Sequence, residues 1–300
     1  MSRIEKKTIR YTASDYLFLG FNWIVLSVFL IVLIYPLLYI LASSISGGAS
    51  TMTLWLIPKK WSFEGYRAVI EYPFIRSGYR NSLIYMTVGT AIAMLVTICC
   101  AYPLSRHDFA GRKPIMTLCI FTMYFSGGLI PTYLWIRDLG LYDTIWALVL
   151  PGSLSVYNMI IMRTYFQSQI PEDLYKAALI DGCGDLRFLI SIALPLSGPI
   201  LAVIALYYAV AQWNAYFNAM VYIQTRTKLP LPNVLREILV LNMISGIDVN
   251  LDEELATKME QRAELMKYSL IVVASLPVMV LYPLVQKYFV KGVMIGAIKG

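Results

Sequence analysis

Residues 171–199 read PEDLYKAALIDGCGDLRFLISIALPLSGP, a partly polar stretch set between two long apolar runs. Pro171 suits the first turn of a helix, and Glu172 and Asp173 place negative charge at that helix's positive end. Leu174, Ala177, Ala178 and Asp181 follow at three- and four-residue spacings, so the pattern predicts one shared face. The two alanines keep that face low, which lets a second protein surface approach closely. Gly182 reads as the helix stop, in the left-handed conformation that glycine adopts without a Cβ penalty. Asp185 is expected to cap a second short helix carrying Leu186, Leu189, Ile192 and Ala193 and ending before Leu194-Pro195. Helix, sharp turn and helix between apolar runs describe a knob standing off a bilayer.

The rest of the chain supplies that bilayer reading. Of 300 residues, 58% are hydrophobic and 14% charged, whereas a soluble domain carries about a quarter charged. Six uncharged runs hold the excess, at 16–58, 81–105, 114–136, 144–162, 188–225 and 268–286. The shortest has 19 residues, about 28 Å as a helix, close to the roughly 30 Å hydrocarbon core. The composition predicts an all-α polytopic membrane protein with six transmembrane helices. A net charge of +7 could serve nucleic acid, but the basic residues lie scattered between the runs, so no nucleic-acid partner is expected. With the N-terminus inside, thirteen Lys/Arg fall on the inner side and twelve on the outer. Density separates the sides better: loop 105–113 carries Arg106, Arg112 and Lys113, and loop 137–143 only Arg137.

Taken in order, a basic tail (1–15) precedes a first helix near Leu17 to Leu41, too long a run for a signal-peptide core. An outer segment, 45–80, holds Trp55 and Trp61, suited to the membrane interface. The second span, Ser82 to Leu104, offers Gly89 and Ala93 as a close-packing face. The third begins at Pro114, and its Phe125-Ser126-Gly127-Gly128-Leu129-Ile130-Pro131 breaks a helix in mid-run. Such breaks survive in membranes against protein or a wet cavity, so this one either lines a path or is a packing kink. Span four, Thr144 to Met162, contains Asn158; span five, Pro199 to Tyr222, contains Trp213, Asn214, Tyr216 and Asn218. Buried amides need partners, which here are other helices or a hydroxyl-rich cargo. Span six runs from Tyr268 to Val285. The outer segment 226–267 is expected to hold an amphipathic helix over Val234 to Leu241, and a second opening at Asn250 and running through Gln261. Cys99, Cys100 and Cys119 read as small core residues and Cys183 as a reduced thiol in the turn. Metal-ligand spacing is absent, and the single histidine, His107, reads as a solvated loop residue.

The 171–195 stretch resembles the EAA loop of ABC-importer permeases, the segment that docks into a groove on the cytoplasmic ATPase. Ala177, Ala178, Asp181, Gly182, Ile192, Leu194 and Pro195 carry the match, and Lys176 stands where that motif usually has its glutamate. Adding Ala101-Tyr102-Pro103-Leu104-Ser105-Arg106, Phe125 through Tyr133, Trp213-Asn214 and the Lys-Gly ending, the chain looks like the carbohydrate ABC-importer permeases of the maltose-permease small-subunit type. The resemblance implies a type I ABC-importer permease fold in one domain, 1–300, in a bacterial cell membrane with both termini cytoplasmic. It implies a coupling loop at 167–195 in which Glu172, Leu174, Lys176, Ala177, Ala178, Asp181, Gly182, Ile192, Leu194 and Pro195 meet the ATPase. It implies a second homologous permease subunit, two ATPases that hold ATP and magnesium, and an external solute-binding protein delivering an oligosaccharide. Outer loop 226–267 would face the binding protein, and tail 287–300 the ATPases. Tyr124, Gly127, Gly128, Tyr133, Asn158, Trp213, Asn214, Tyr216 and Asn218 are then candidates for the substrate path.

What the sequence lacks agrees with a permease that is not itself an enzyme. No Gly-x-x-x-x-Gly-Lys-Ser/Thr occurs to cradle phosphates, so no cofactor is expected in this chain. The runs contain no charged side chain, although ion- and proton-coupled carriers use an intramembrane carboxylate. A self-sufficient secondary carrier or channel would want an internal repeat or a charged pore, and neither is evident. An ABC permease for amino acids or peptides would share the coupling loop and remains the nearer alternative.

Overall fold

Three of the runs without charge hold a long helix, and one of these helices, residues 73–105, forms the spine of the body it belongs to. The computed structural model describes residues 12–47, 61–245, 266–283 and 286. Trp55, most of tail 1–15, the helix expected from Asn250 to Gln261 and tail 287–300 lie outside the described residues. Within these, the chain is helical and strand-free apart from a single bridge between Ser46 and Trp61. The residues group into two bodies, Met1–Val69 with Asn250–Val272, and Ile70–Val249 with Val273–Gly300.

In the first body, α1 (Ala13–Ser44) is opened by Asp15, whose Oδ2 accepts from the Thr12 amide at 2.8 Å. Its 32 residues would extend about 48 Å. Near its end the Ser44 hydroxyl pairs with Tyr66 Oη at 2.8 Å, and Ser269 Oγ donates to the Ser44 carbonyl at 3.1 Å. The short α2 spans Glu64–Glu71.

The second body is built on α3 (Pro73–Ser105), whose buried residues recur at three- and four-residue steps through Ile75, Gly78, Ser82, Met86, Gly89, Ala93, Thr97 and Ala101. That stripe packs against α7 (Val156–Gln169), α11 (Gly198–Trp213) and α13 (Leu231–Ser245). Small residues set the approach. A Cβ on Gly89 would stand 2.9 Å from Gln212 Cδ, and one on Gly78 3.0 Å from Val234 Cγ2 and 3.3 Å from Leu231 Cα, so a larger residue would displace the Gln212 side chain in the first case and press on the backbone of α13 in the second. Deep in this packing the hydroxyls of Thr97 and Tyr208 lie 2.7 Å apart, and the Ser155 amide donates to Tyr208 Oη at 3.0 Å.

Among the described residues three helices are long and apolar enough to cross a membrane: α1, α3 and α14 (Met266–Pro283). Counting each bent pair as one span gives five. The third expected span is α4 (Arg112–Tyr124) and α5 (Leu129–Asp138), which meet at 112° where the paired glycines break the run. The fourth is divided. α6 covers only Trp146–Val149, a turn follows at Pro151-Gly152, and α7 continues to Gln169. The fifth ends α11 at Trp213 and resumes as α12 (Tyr216–Tyr222). Cys99 is exposed rather than packed in the core.

Candidate functional site

The knob forms where the sequence places it, but its internal division differs from the predicted one. α8 (Glu172–Ile180) stops at Gly182, which has φ +74°. The Cys183 amide reaches back to the Ala178 carbonyl at 2.9 Å and the Gly182 amide to Leu179 at 3.0 Å, the paired closure of a Schellman stop. No atom lies within 4 Å of where a Gly182 Cβ would be, so glycine is required there by backbone conformation and not by space. Asp185 is the first residue of α9 (Asp185–Phe188), with Gly184 in the cap position, because its carboxylate is engaged elsewhere. The second arm does not end before Leu194. It runs through a π-turn, Leu189–Ala193, into α10 (Leu194–Leu196), and Pro195, which has no N–H to donate, follows just after the widened turn.

The face predicted from Leu174, Ala177, Ala178 and Asp181 is split. Ala178 is 7% exposed and joins a buried cluster with Tyr102, Phe166, Tyr175 and Phe188, whereas Leu174, Ala177 and Asp181 face outward. Ile192 and Leu194 are half-buried against that cluster, and Pro195 is exposed. Lys176 and Glu172 pair at 3.4 Å on the surface, a contact worth little net stability. The most solvent-facing apolar side chains of the knob are Ile180, which the predicted face does not include, at 87% and Leu186 of the second arm at 69% exposure. An isoleucine directly before an Asp-Gly stop was the available signal.

The root of the knob is an arginine–tyrosine stack. The Arg106 guanidinium lies 3.3 Å from the centroid of the Tyr175 ring, and Tyr175 Oη donates to Asp185 Oδ1 at 2.6 Å. That bond, with some help from burial, pushes the Tyr175 phenol above its ordinary pKa. Phe188 meets the same ring edge-on at 5.2 Å. α3 ends immediately before Arg106, and α7 closes its last carbonyls: Arg163 Nε donates to Leu104 O at 2.8 Å and Gln167 Nε2 to Ser105 O at 3.2 Å. A cation at a helix C-terminus is favourably placed. Ser105, Arg106, His107, Gln167, Tyr175 and Lys176 line a cleft of about 320 Å³ between these elements.

At the other end of α3 a second polar joint appears. Asp143, at φ +57°, accepts on Oδ1 from the Gln224 and Thr225 amides at 3.0 and 2.9 Å. Its Oδ2 accepts from Thr225 Oγ1 at 2.6 Å and from Lys228 Nζ at 2.8 Å. Burial works against the charge, but these bonds outweigh it and hold the carboxyl well below the usual range. The strap so anchored is stitched to α3 by Asn81, which donates to Thr227 O at 2.8 Å, and by Tyr85, which donates to Lys228 O at 2.7 Å.

The candidate path residues are placed unevenly. Tyr124, Gly127, Gly128, Asn214, Tyr216 and Asn218 are exposed, and a Cβ on either glycine would meet nothing within 4 Å. Trp213 is buried, donating Nε1 to Ala274 O at 3.1 Å and meeting Tyr79 edge-on at 5.7 Å. Asn158 is buried in the first turn of α7, and Tyr133 stacks on Tyr222 at 6.2 Å. Asn214 Nδ2 turns back onto the Val210 carbonyl at 2.9 Å. Among the described residues no group of three His, Cys, Asp or Glu could hold a metal.

No family model matches the sequence. The chain is 38% identical over 288 residues to the polygalacturonan/rhamnogalacturonan transport system permease protein YtcP of Bacillus subtilis, spanning 95% of this chain and 98% of that protein. It is 40% identical over 269 residues to protein LplC of the same organism, spanning 89% and 90%. Among solved structures, a chain of a bacterial ABC transporter involved in the import of the acidic polysaccharide alginate matches with a TM-score of 0.82 at 34% identity. The match covers 94% of this chain and all of that one.

Proposed function

Because the chain belongs to the ABC-importer permease family, we propose that it forms a membrane path for an oligosaccharide, driven by ATP hydrolysis on separate subunits docked at the 171–195 knob. The observation that carries this reading is the two-sidedness of α8. Tyr175 and Ala178 lock it to the core, while Leu174, Ala177 and Ile180 present an exposed apolar tip. A lever needs both a fixed root and a free contact face. The proposed partners are a second permease subunit, two ATPases holding ATP and magnesium, and an external binding protein. The knob then faces the cytoplasm of a bacterial cell, as do both termini.

The cargo we propose is carboxylate-bearing. Two relatives act on acidic polymers, the polygalacturonan/rhamnogalacturonan system and the alginate importer. Exposed Tyr124, Tyr216, Asn214 and Asn218 offer aromatic faces and amides suited to sugar rings and hydroxyls. Uptake of labelled oligogalacturonate and of maltodextrin of equal length, by the full complex in vesicles with ATP, tests this. ATP-dependent uptake favouring the oligogalacturonate is expected. Uptake by this chain alone on a proton gradient would overturn the mechanism, and uptake of the neutral chain only would overturn the cargo.

A further inference from the structure

α3 carries two arginines, Arg76 and Arg80, at the end opposite the knob. They are one helical turn apart and so lie side by side. Both are exposed, and neither makes a hydrogen bond or ion pair with any described residue. Arg106, Arg163 and Arg226 differ, each being engaged with a ring, a carbonyl or a carboxylate. The pair borders a groove of about 650 Å³ whose other walls are apolar or aromatic: Ile75, Tyr79, Leu83 and Ile84. Along the same face the helix continues with exposed Leu83, Ile84, Ala91 and Leu95. The one hydroxyl there, Thr87, is turned back onto the Leu83 carbonyl at 2.8 Å.

Depth decides what meets such a face. From Arg76 and Arg80 to the last residue of α3, Ser105, the helix rises about 44 and 38 Å at 1.5 Å per residue. A bilayer measures about 40–45 Å with both headgroup regions included. If the knob end of α3 lies at one headgroup layer, the arginine pair lies at the other, with an apolar stripe below it. A guanidinium matches phosphate bidentately. We propose that Arg76 and Arg80 form a site for one anionic phospholipid, phosphatidylglycerol being the probe, with its phosphate on the two guanidiniums and an acyl chain along Leu83, Ile84 and Leu95. The lipid holds this end of the spine at a fixed depth while the knob end moves with the ATPase.

The test uses the assembled complex in nanodiscs of equal phosphatidylglycerol and phosphatidylcholine, extracted gently and read by native mass spectrometry for retained lipid. Wild type is expected to retain phosphatidylglycerol roughly thirtyfold over phosphatidylcholine, the scale set by two basic residues each facing one anionic lipid. The double variant Arg76→Gln/Arg80→Gln should lose most of that excess, and Arg76→Lys/Arg80→Lys should keep much of it. No preference in wild type overturns the proposal, whether or not any variant assembles. An unchanged excess in the Gln pair overturns it as well. Displacement of the lipid by millimolar inorganic phosphate would make this a free-anion site instead. Reduced oligogalacturonate uptake by the Gln pair with lipid retention unchanged would assign the arginines to the cargo path, again against the proposal.

Discussion

The guanidinium carbon of Arg106 lies over the ring of Tyr175, 3.3 Å from its centroid, joining the residue after the spine helix to the inner face of the knob. Tyr175 passes the contact on to Asp185 in the second arm through a 2.6 Å hydrogen bond. Any displacement of α8 therefore meets α3 at a cation–π stack backed by a charge-assisted hydrogen bond.

Replacing Arg106 with alanine removes a stack worth about 0.5–2 kcal/mol. Arg106→Ala is expected to leave the chain inserted and bound to its partners, yet to lower uptake per ATP hydrolysed, because the lever's root is loosened. Arg106→Lys should recover only part of the loss, since an ammonium keeps the charge but not the planar fork. Parallel measurement of uptake and ATPase rate in vesicles checks this; an unchanged ratio for Arg106→Ala would show that the stack transmits nothing.

Ala177 and Ala178 are adjacent in sequence and face opposite ways, so the same substitution should fail for different reasons. Ala178→Glu puts a carboxylate into the cluster with Phe166 and Phe188 and should cost on the order of 3 kcal/mol, seen as a lowered melting temperature. Ala177→Glu sits on the exposed side and should change stability by no more than about 0.5 kcal/mol while weakening ATPase capture. Thermal melts with pull-down separate the two. Equal destabilisation by both would contradict the inward and outward assignment.

How legible this was depended on range. The Gly182 stop was readable because its determinants are local: a helix-spaced run, then Asp-Gly. The membrane class was equally plain from run lengths. The division of α8 was not, because Ala177 and Ala178 satisfy the same spacing rule and only Tyr175 and Phe188, packed behind, decide which one turns in. The Arg106–Tyr175 stack and the Asp143–Lys228 joint each link segments far apart in the chain, and no periodicity encodes such pairs. Span four was misdrawn because an uncharged run does not reveal that Pro151-Gly152 opens a turn inside it. Capping is what the local sequence suggests for Asp185, because nothing in the spacing links it to Tyr175, the side chain that holds its carboxylate.

The Asp143 joint should depend on pH in a definite direction. Its folded pKa is lowered, so its stabilisation is complete above the ordinary carboxylate value of about 4 and is lost as pH falls through the still lower folded value. Between pH 5 and 8, on the order of physiological conditions, the strap should therefore be insensitive to pH. Asp143→Asn keeps a residue type that tolerates the left-handed backbone but removes the charge opposite Lys228. Hydrogen exchange at the Gln224 and Thr225 amides should accelerate in that variant, and protection equal to wild type would mean that the carboxylate does not hold the strap.

The central claim is that the outward tip of α8 meets the ATPase. A photo-reactive amino acid placed at Ile180, the most exposed large apolar residue of the knob, tests it most directly, with the same probe at Leu95 on the exposed face of α3 as the comparison. On irradiation of intact membranes containing the full complex, the account predicts a covalent adduct with the ATPase subunit from position 180 and none from position 95. An assembled, transporting complex in which position 180 gives no ATPase adduct would contradict it.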